Sequence, residues 1–364
     1  MSVTEHSVDK LKFTLTSQKF GKEALLKKAR KKFFSSGKVK GLHAYACAYG
    51  SKLKRAYENS LVCSHHIKIY ENGKSETKYC KNRFCNTCSN IKCANDITTH
   101  KKQYLEKMND PYFLTLTVRN VKGERLRSRM RFMFRVFDKI RDSYRKAYEH
   151  KIVGFLKLEC TYNGIADTYH PHFHFMGDFH FCDYAQYKWL CHMKGKKGEE
   201  NKAEKWCQDL EKVTVKYDAE GNRTCGELVE IFKYVAKDKS EVIDKKGNKK
   251  SWVIDFKSLD TIYTAMSGLR CVRFYGMKKE PLTVDETKAA EQEEIVKSMA
   301  EVKIKADDYV WSRNDWYSVH TGEALTGFEL GAEHLGFLKF VERSVKRFEG
   351  YETKESILLR QKLM

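Results

Sequence analysis

Tyr169-His170-Pro171-His172-Phe173-His174-Phe175 alternates imidazoles with bulky apolar side chains. Alternation with a period of two marks a β-strand, in which residues two apart share a face. His172 and His174 then project together while Phe173 and Phe175 enter a core. Two imidazoles one strand repeat apart suit a single divalent ion, held from one side with its other positions open. A carboxylate can complete such a site. In residues 152–161, Ile152, Leu156 and Leu158 form one strand face and put Lys157 and Glu159 on the other. Glu159 is a candidate third ligand, and His170, on the same face as His172, is its competitor.

Working outward, residues 112–118 (YFLTLTV) read as a strand. Residues 123–149 read as a long helix, with Leu126, Met130, Phe134, Phe137, Ile140, Tyr144 and Tyr148 at helical spacing. Residues 183–210 read as mostly helical with a break at 195–198, and 213–224 as a hairpin turning on Gly221-Asn222. A helix is predicted over 259–266, a strand over 270–275 and an acidic helix over 284–302. The polar stretch KSEVIDKKGNKKS (239–251) reads as a linker, dividing a core at 110–240 from a C-terminal region at 250–364 of unassigned role. Upstream, residues 1–60 read as two basic helices broken at Ser35-Ser36-Gly37, followed by a Cys-rich element at 61–95.

The chain has 364 residues and a formal net charge of +21. Residues 1–150 hold 34 basic and 13 acidic residues, whereas the remainder holds 35 of each. An excess confined to one part of a chain is expected where that part lies against a polyanion. Lys27, Lys28, Arg30, Lys31 and Lys32 are the densest basic run there and are predicted phosphate contacts. No stretch approaches the roughly 20 apolar residues that span a bilayer, and MSVTEHSVDKLKF lacks an apolar signal region, so the sequence predicts a cytoplasmic location with no membrane partner. Twelve Cys in such a chain do not read as a disulfide framework. Cys80, Cys85, Cys88 and Cys93 lie close together, with Cys63 and His65-His66 upstream, and clustered thiols point to a metal.

A third constellation lies in residues 227–238. Glu227, Glu230, Tyr234 and Lys237 recur at helical spacing and line one face. An ammonium near a phenol favours the phenolate, and a carboxylate one turn away can accept a proton, so Tyr234 is equipped to attack a phosphodiester. A salt-bridged surface helix accounts for the same spacing.

In combination these elements resemble the rolling-circle replication initiators of small plasmids, members of the HUH endonuclease superfamily. Phe113-Leu114-Thr115-Leu116-Thr117 with Asn120 resembles their first motif, and His170-Pro171-His172-Phe173-His174 their metal motif. Glu230 through Tyr234 to Lys237 is similar to the nucleophile motif of the subgroup with a single catalytic tyrosine. Cys80 through Cys85 to Cys88 resembles the upstream Cys element, and Ser267 through Arg270 to Gly276 a downstream strand. The resemblance implies an α+β fold: an antiparallel sheet with the His-x-His strand central, helices 123–149 and 227–238 flanking it, and a basic helical and zinc-ribbon-like segment before it. It implies Mg2+ or Mn2+ on His172 and His174, attack by Tyr234 to give a 5′-phosphotyrosine and a free 3′-OH primer, water activation by Glu230, and a phosphate-holding or proton-tuning Lys237. Implied partners are single-stranded or hairpin plasmid origin DNA with host helicase and polymerase.

For the Cys element we expect structural zinc held by Cys63, Cys80, Cys85 and Cys88, with Cys93, His65 or His66 as substitutes, since metal binding can fold a segment with little core. Two other readings compete with a replication initiator. One is another HUH enzyme, a transposase or relaxase; the other is a non-catalytic, zinc-organised DNA-binding protein.

Overall fold

The computed structural model describes residues 5–70, 75–108, 110–197, 202–217, 223–224, 239–243, 249–277 and 306–363. It is a mixed α/β protein with antiparallel sheets. The chain forms two compact units, one of residues 1–89 and 284–364 and the other of residues 90–283.

The first unit begins with α1 (Glu5–Tyr49) and α2 (Lys54–Leu61), followed by β1 (His66–Tyr70) and β2 (Ser75–Thr77). α3 (Asn86–Lys107) starts here and runs on into the second unit. The predicted break at Ser35-Ser36-Gly37 is absent, because α1 continues through it. A Cβ on Gly37 would stand 2.6 Å from the Phe337 ring, so this glycine lets two helices approach closely. Phe337 belongs to the last helix, Ala332–Leu363. β1 pairs with Ala306–Ser312, which in turn pairs with Asp315–Ser318, closing a four-stranded antiparallel sheet. Ala29 and Phe33 of α1 pack on Ile67, Trp311, Trp316 and Phe328 to form this unit's core.

The second unit is built on β3 (Pro111–Thr117), β4 (Gly154–Asn163), β5 (Thr168–Asp178) and β6 (Asp209–Lys212). Next come two short hairpins, β7 (Lys216–Tyr217) with β8 (Arg223–Thr224) and β9 (Lys239–Ile243) with β10 (Lys249–Val253), and then β11 (Val272–Tyr275). Its five-stranded sheet has the order β11-β4-β5-β3-β6, which puts the histidine strand β5 in the middle. One face is covered by α4 (Gly123–Tyr148) and α5 (Phe179–Met193). Leu114, Leu116, Leu156, Leu158, Phe173 and Phe175 are buried on that face, with Phe137 of α4 5.9 Å from Phe173 and 5.6 Å from Phe175 between ring centroids. Gly154 and Gly177 oppose each other across β4 and β5, and a Cβ on Gly154 would meet the Phe175 ring at 2.5 Å. The glycine pair makes room for that aromatic. Arg127 of α4 donates to the Thr264, Ala265 and Ser267 carbonyls, capping the end of α6 (Phe256–Met266).

Two further expectations change. The polar stretch read as a linker forms the β9–β10 hairpin, and the unit continues past it through α6 and β11. The helix expected across 183–210 ends at Met193, and Asp209–Lys212 is instead β6, an edge strand of the sheet. Residues 225–238, with the helix expected there, lie outside the described residues. So do residues 284–302, expected as an acidic helix. Among the described residues no helix is long and apolar enough to cross a membrane.

Candidate active site and cysteine centre

The register of the sheet builds the first site. In β5, His172 faces Thr117 on β3 and Glu159 on β4, while His174 faces Thr115 and Lys157. Directly opposed residues of antiparallel strands share a face, so two rows of polar side chains cross three strands on the side away from α4 and α5. One oxygen of Glu159 lies 3.5 Å from His172 Nε2 and 3.7 Å from His174 Nε2. The donor atoms of the three residues all lie within 4.8 Å of one another.

Each imidazole is oriented from behind. His172 Nδ1 lies 3.1 Å from the His170 carbonyl, which can only accept, so that nitrogen carries a proton and the ring turns Nε2 toward Glu159. His174 Nδ1 lies 3.2 Å from Thr115 Oγ1. Lys157, fully buried at 0% exposure, donates to the other Glu159 oxygen. Burial by itself would raise the Glu159 carboxyl, but His172, His174 and Lys157 outweigh it and hold the group well below the usual carboxylate range. Burial, with a smaller contribution from His172, pushes His170 down to about 4, and desolvation likewise lowers His174. One carboxylate oxygen and two imidazole nitrogens converging at this spacing fit a divalent cation, with partners that orient each ligand. His170, the competing ligand, instead lends its carbonyl to His172 and stacks on that ring at 5.2 Å.

Glu159 and the histidine pair were legible in the sequence; Lys157 and Thr115 were overlooked as their supports. The alternation of Thr with Leu in Phe113–Thr117 held that signal, because the hydroxyls share the histidine face once the two strands pair. Tyr234, Glu230, Lys237 and Glu227 lie outside the described residues.

In the first unit, Cys63, Cys80, Cys85 and Cys88 bring four sulfurs within 4.8 Å of one another. Cys63 and Cys80 each lie 3.5 Å from Cys88, and Cys85 lies 3.6 Å from Cys63. That is far longer than a disulfide's roughly 2.05 Å and close to the ~3.8 Å edge of a tetrahedron of sulfurs around zinc. Donors point at the sulfurs: the Cys80 amide at Cys63 (3.4 Å), the Lys81 amide at Cys88 (3.3 Å) and the Ser60 hydroxyl at Cys80 (3.3 Å). Lys81 has φ +57°, a left-handed conformation that turns its amide inward. Donors on every side suit thiolates, the form that binds metal. The substitutes do not join the group: Cys93 packs instead beside Phe155 and Met176, and the cluster contains neither His65 nor His66.

The basic run on α1 divides. Lys27, Lys28, Arg30 and Lys31 are exposed, as a phosphate-contacting surface requires. Lys32 is only 3% exposed and donates to the Cys63 carbonyl, which corrects the expectation that it meets DNA. Its position three residues before Ser35, which lies 3.4 Å from Cys85 Sγ, puts both on the helix face turned to the sulfurs. Burial lowers the Lys32 pKa, and the four cysteines oppose that shift.

A family described as "Replication protein" matches residues 73–318. A "Protein rep" of Bacillus amyloliquefaciens is 36% identical over 143 residues, covering 35% of this chain and 39% of that protein. Another, from a Bacillus species, is 38% identical over 119 residues, covering 30% of this chain and 34% of its own length. A "Protein rep" of Staphylococcus aureus is 30% identical over 183 residues, covering 46% of this chain and 72% of that protein. The chain thus spans under two fifths of the two Bacillus relatives and nearly three quarters of the staphylococcal one. No solved structure matches.

Proposed function

The chain belongs to the replication protein family, and from that premise we propose that it is a plasmid replication initiator of the HUH type, a nicking enzyme for origin DNA. The observation that carries this reading is the convergence of Glu159, His172 and His174 on the central strand. Mg2+ or Mn2+ bound there would polarise a scissile phosphate. Glu159, His172 and His174 would hold that ion, and Lys157 would keep the carboxylate turned toward it. Tyr234 attacks in line: its phenol oxygen bonds to phosphorus, the bond to the 3′ oxygen breaks, and a proton passes to the departing 3′-OH. Lys237 favours the phenolate, and Glu230 later takes the proton from the water that hydrolyses the adduct. The cysteine group holds structural zinc, and the exposed basic face of α1 meets DNA phosphates. Host helicase and polymerase would take over at the freed 3′-OH.

The test is incubation of the full chain with a labelled single-stranded hairpin from the plasmid's own origin and Mn2+, followed by a denaturing gel. A covalent protein–DNA band is expected, absent with EDTA and absent in Tyr234→Phe. No adduct from the wild type overturns the reading, and strand-transfer products without support of plasmid replication favour a transposase.

A further inference from the structure

Among the described tryptophans, Trp189, Trp311 and Trp316 are buried, whereas Trp206 is 84% exposed. Looseness does not explain that exposure. Trp206 sits in a single turn of 3-10 helix (Lys205–Cys207) between α5 and β6, and this turn is tied to the end of β3. Thr117 Oγ1 donates to the Cys207 carbonyl at 3.0 Å, the Thr117 amide donates to Gln208 Oε1 at 2.8 Å, and Gln208 Nε2 donates to the Glu204 carbonyl at 2.8 Å. Thr117 is the residue that pairs with His172. An indole therefore stands in solvent on an ordered turn, tied to the end of β3 whose Thr117 faces His172 of the candidate active site.

Lys205, next to it, is exposed; Glu204, the acidic neighbour, is engaged by Arg119 at 2.9 Å. Both charge signs are exposed nearby, with Asp209 and Glu211 beside Lys205 and Lys212, and no other exposed large apolar side chain lies in residues 202–213 among the described residues. A protein-docking surface would need a contiguous apolar patch. An exposed aromatic ring on an ordered turn, flanked by a lysine, suits a nucleobase, whose π-face stacks on it while the adjoining phosphates meet the ammonium. Because the turn is already ordered, little freedom is lost on binding.

We propose that Trp206 is a stacking platform for one unpaired base of single-stranded DNA, next to the phosphodiester presented to Glu159, His172 and His174. This rests on the nicking role proposed above. Stacking on an aromatic ring is worth about 1–3 kcal/mol per base, or roughly five- to 150-fold in affinity.

The experiment measures binding of fluorescently labelled single-stranded origin DNA to the full chain in EDTA, where no nicking intervenes. Trp206→Ala should bind about tenfold more weakly and Trp206→Phe should recover most of the loss, while affinity for fully paired duplex should not change. An abasic scan around the nick should find one position where removing the base weakens the wild type and leaves Trp206→Ala unaffected. Equal loss on duplex and single strands, no loss at all, or no sensitive abasic position overturns the stacking site. So does a change in sedimentation of Trp206→Ala without a change in DNA binding, which would make a second copy of the chain the occupant. The two readings fail separately: a wild type that shows the Trp206-dependent abasic effect but never forms an adduct with Mn2+ overturns the nicking role alone, and one that nicks normally without that effect overturns the stacking site alone.

Discussion

Lys157 and Glu159, two residues apart on β4, point to the same side of the sheet and share an ion pair that is buried at both ends. The lysine takes one carboxylate oxygen and leaves the other facing His172 and His174. Removing one member of a buried pair leaves an uncompensated charge, at a cost of about 3–5 kcal/mol. Lys157→Met should lower the thermal midpoint in the absence of metal and weaken Mn2+ binding about 10–100-fold, as read by calorimetry or Mn2+ spin resonance. Lys157→Met combined with Glu159→Gln should regain stability but not metal affinity. Unchanged Mn2+ affinity in Lys157→Met would show that the lysine does not support the site.

The cysteine group should retain zinc through purification without chelator, at about one per chain by elemental analysis. Cys85→Ser should lose that zinc and its segment's resistance to protease, whereas Cys93→Ser, which lies outside the group, should keep both. A zinc-free protein that stays folded with chelator would refute the centre.

Separating Lys32 from its neighbours gives a sharper version of the charge argument. Replacing Lys27, Lys28, Arg30 and Lys31 with Gln should reduce the slope of log affinity against log salt, by up to about 0.7–0.9 per lost phosphate contact. Lys32→Gln should leave that slope intact and instead reduce zinc retention, because its ammonium faces the sulfurs. If Lys32→Gln alters the salt slope and spares the zinc, the side chain reaches DNA after all.

Tyr234 and Glu230 should separate two steps of one cycle. Tyr234→Phe keeps the ring without its oxygen, so it should bind DNA and give neither nick nor adduct. Glu230→Ala should still form the phosphotyrosine, which then persists for want of a base to activate water. An adduct mapped to another tyrosine by peptide sequencing would reassign the nucleophile.

Period-two alternation made the histidine strand and its neighbour readable, and their pairing follows once both polar faces are aligned. What escaped the sequence were facts decided by distant packing. Ser35-Ser36-Gly37 has every local mark of a break, yet Phe337, far along the chain, calls for a glycine at 37 inside a continuous helix. Lys32 looks like its neighbours until the cysteines place one side of α1 indoors. Lys157 alternates with Leu156 and Leu158 and reads as solvent-facing, although the polar face of this sheet is itself buried at that point. The 239–251 stretch is rich enough in Lys and Gly to look like a spacer, and its strands are recognisable only as a pair.

The pairing of β1 with the strand Ala306–Ser312 has a consequence for synthesis on the ribosome. At about 5–20 residues per second, the first unit's early half waits some tens of seconds for its partner strand to emerge. The whole second unit, residues 90–283, is made in that interval. The five-stranded sheet of the second unit can therefore assemble while β1 still presents an open edge, and Trp316, whose indole bonds the Ser64 carbonyl, arrives to close it. The Glu159, His172 and His174 group is thereby in place in the nascent chain before the cysteine-bearing unit is complete.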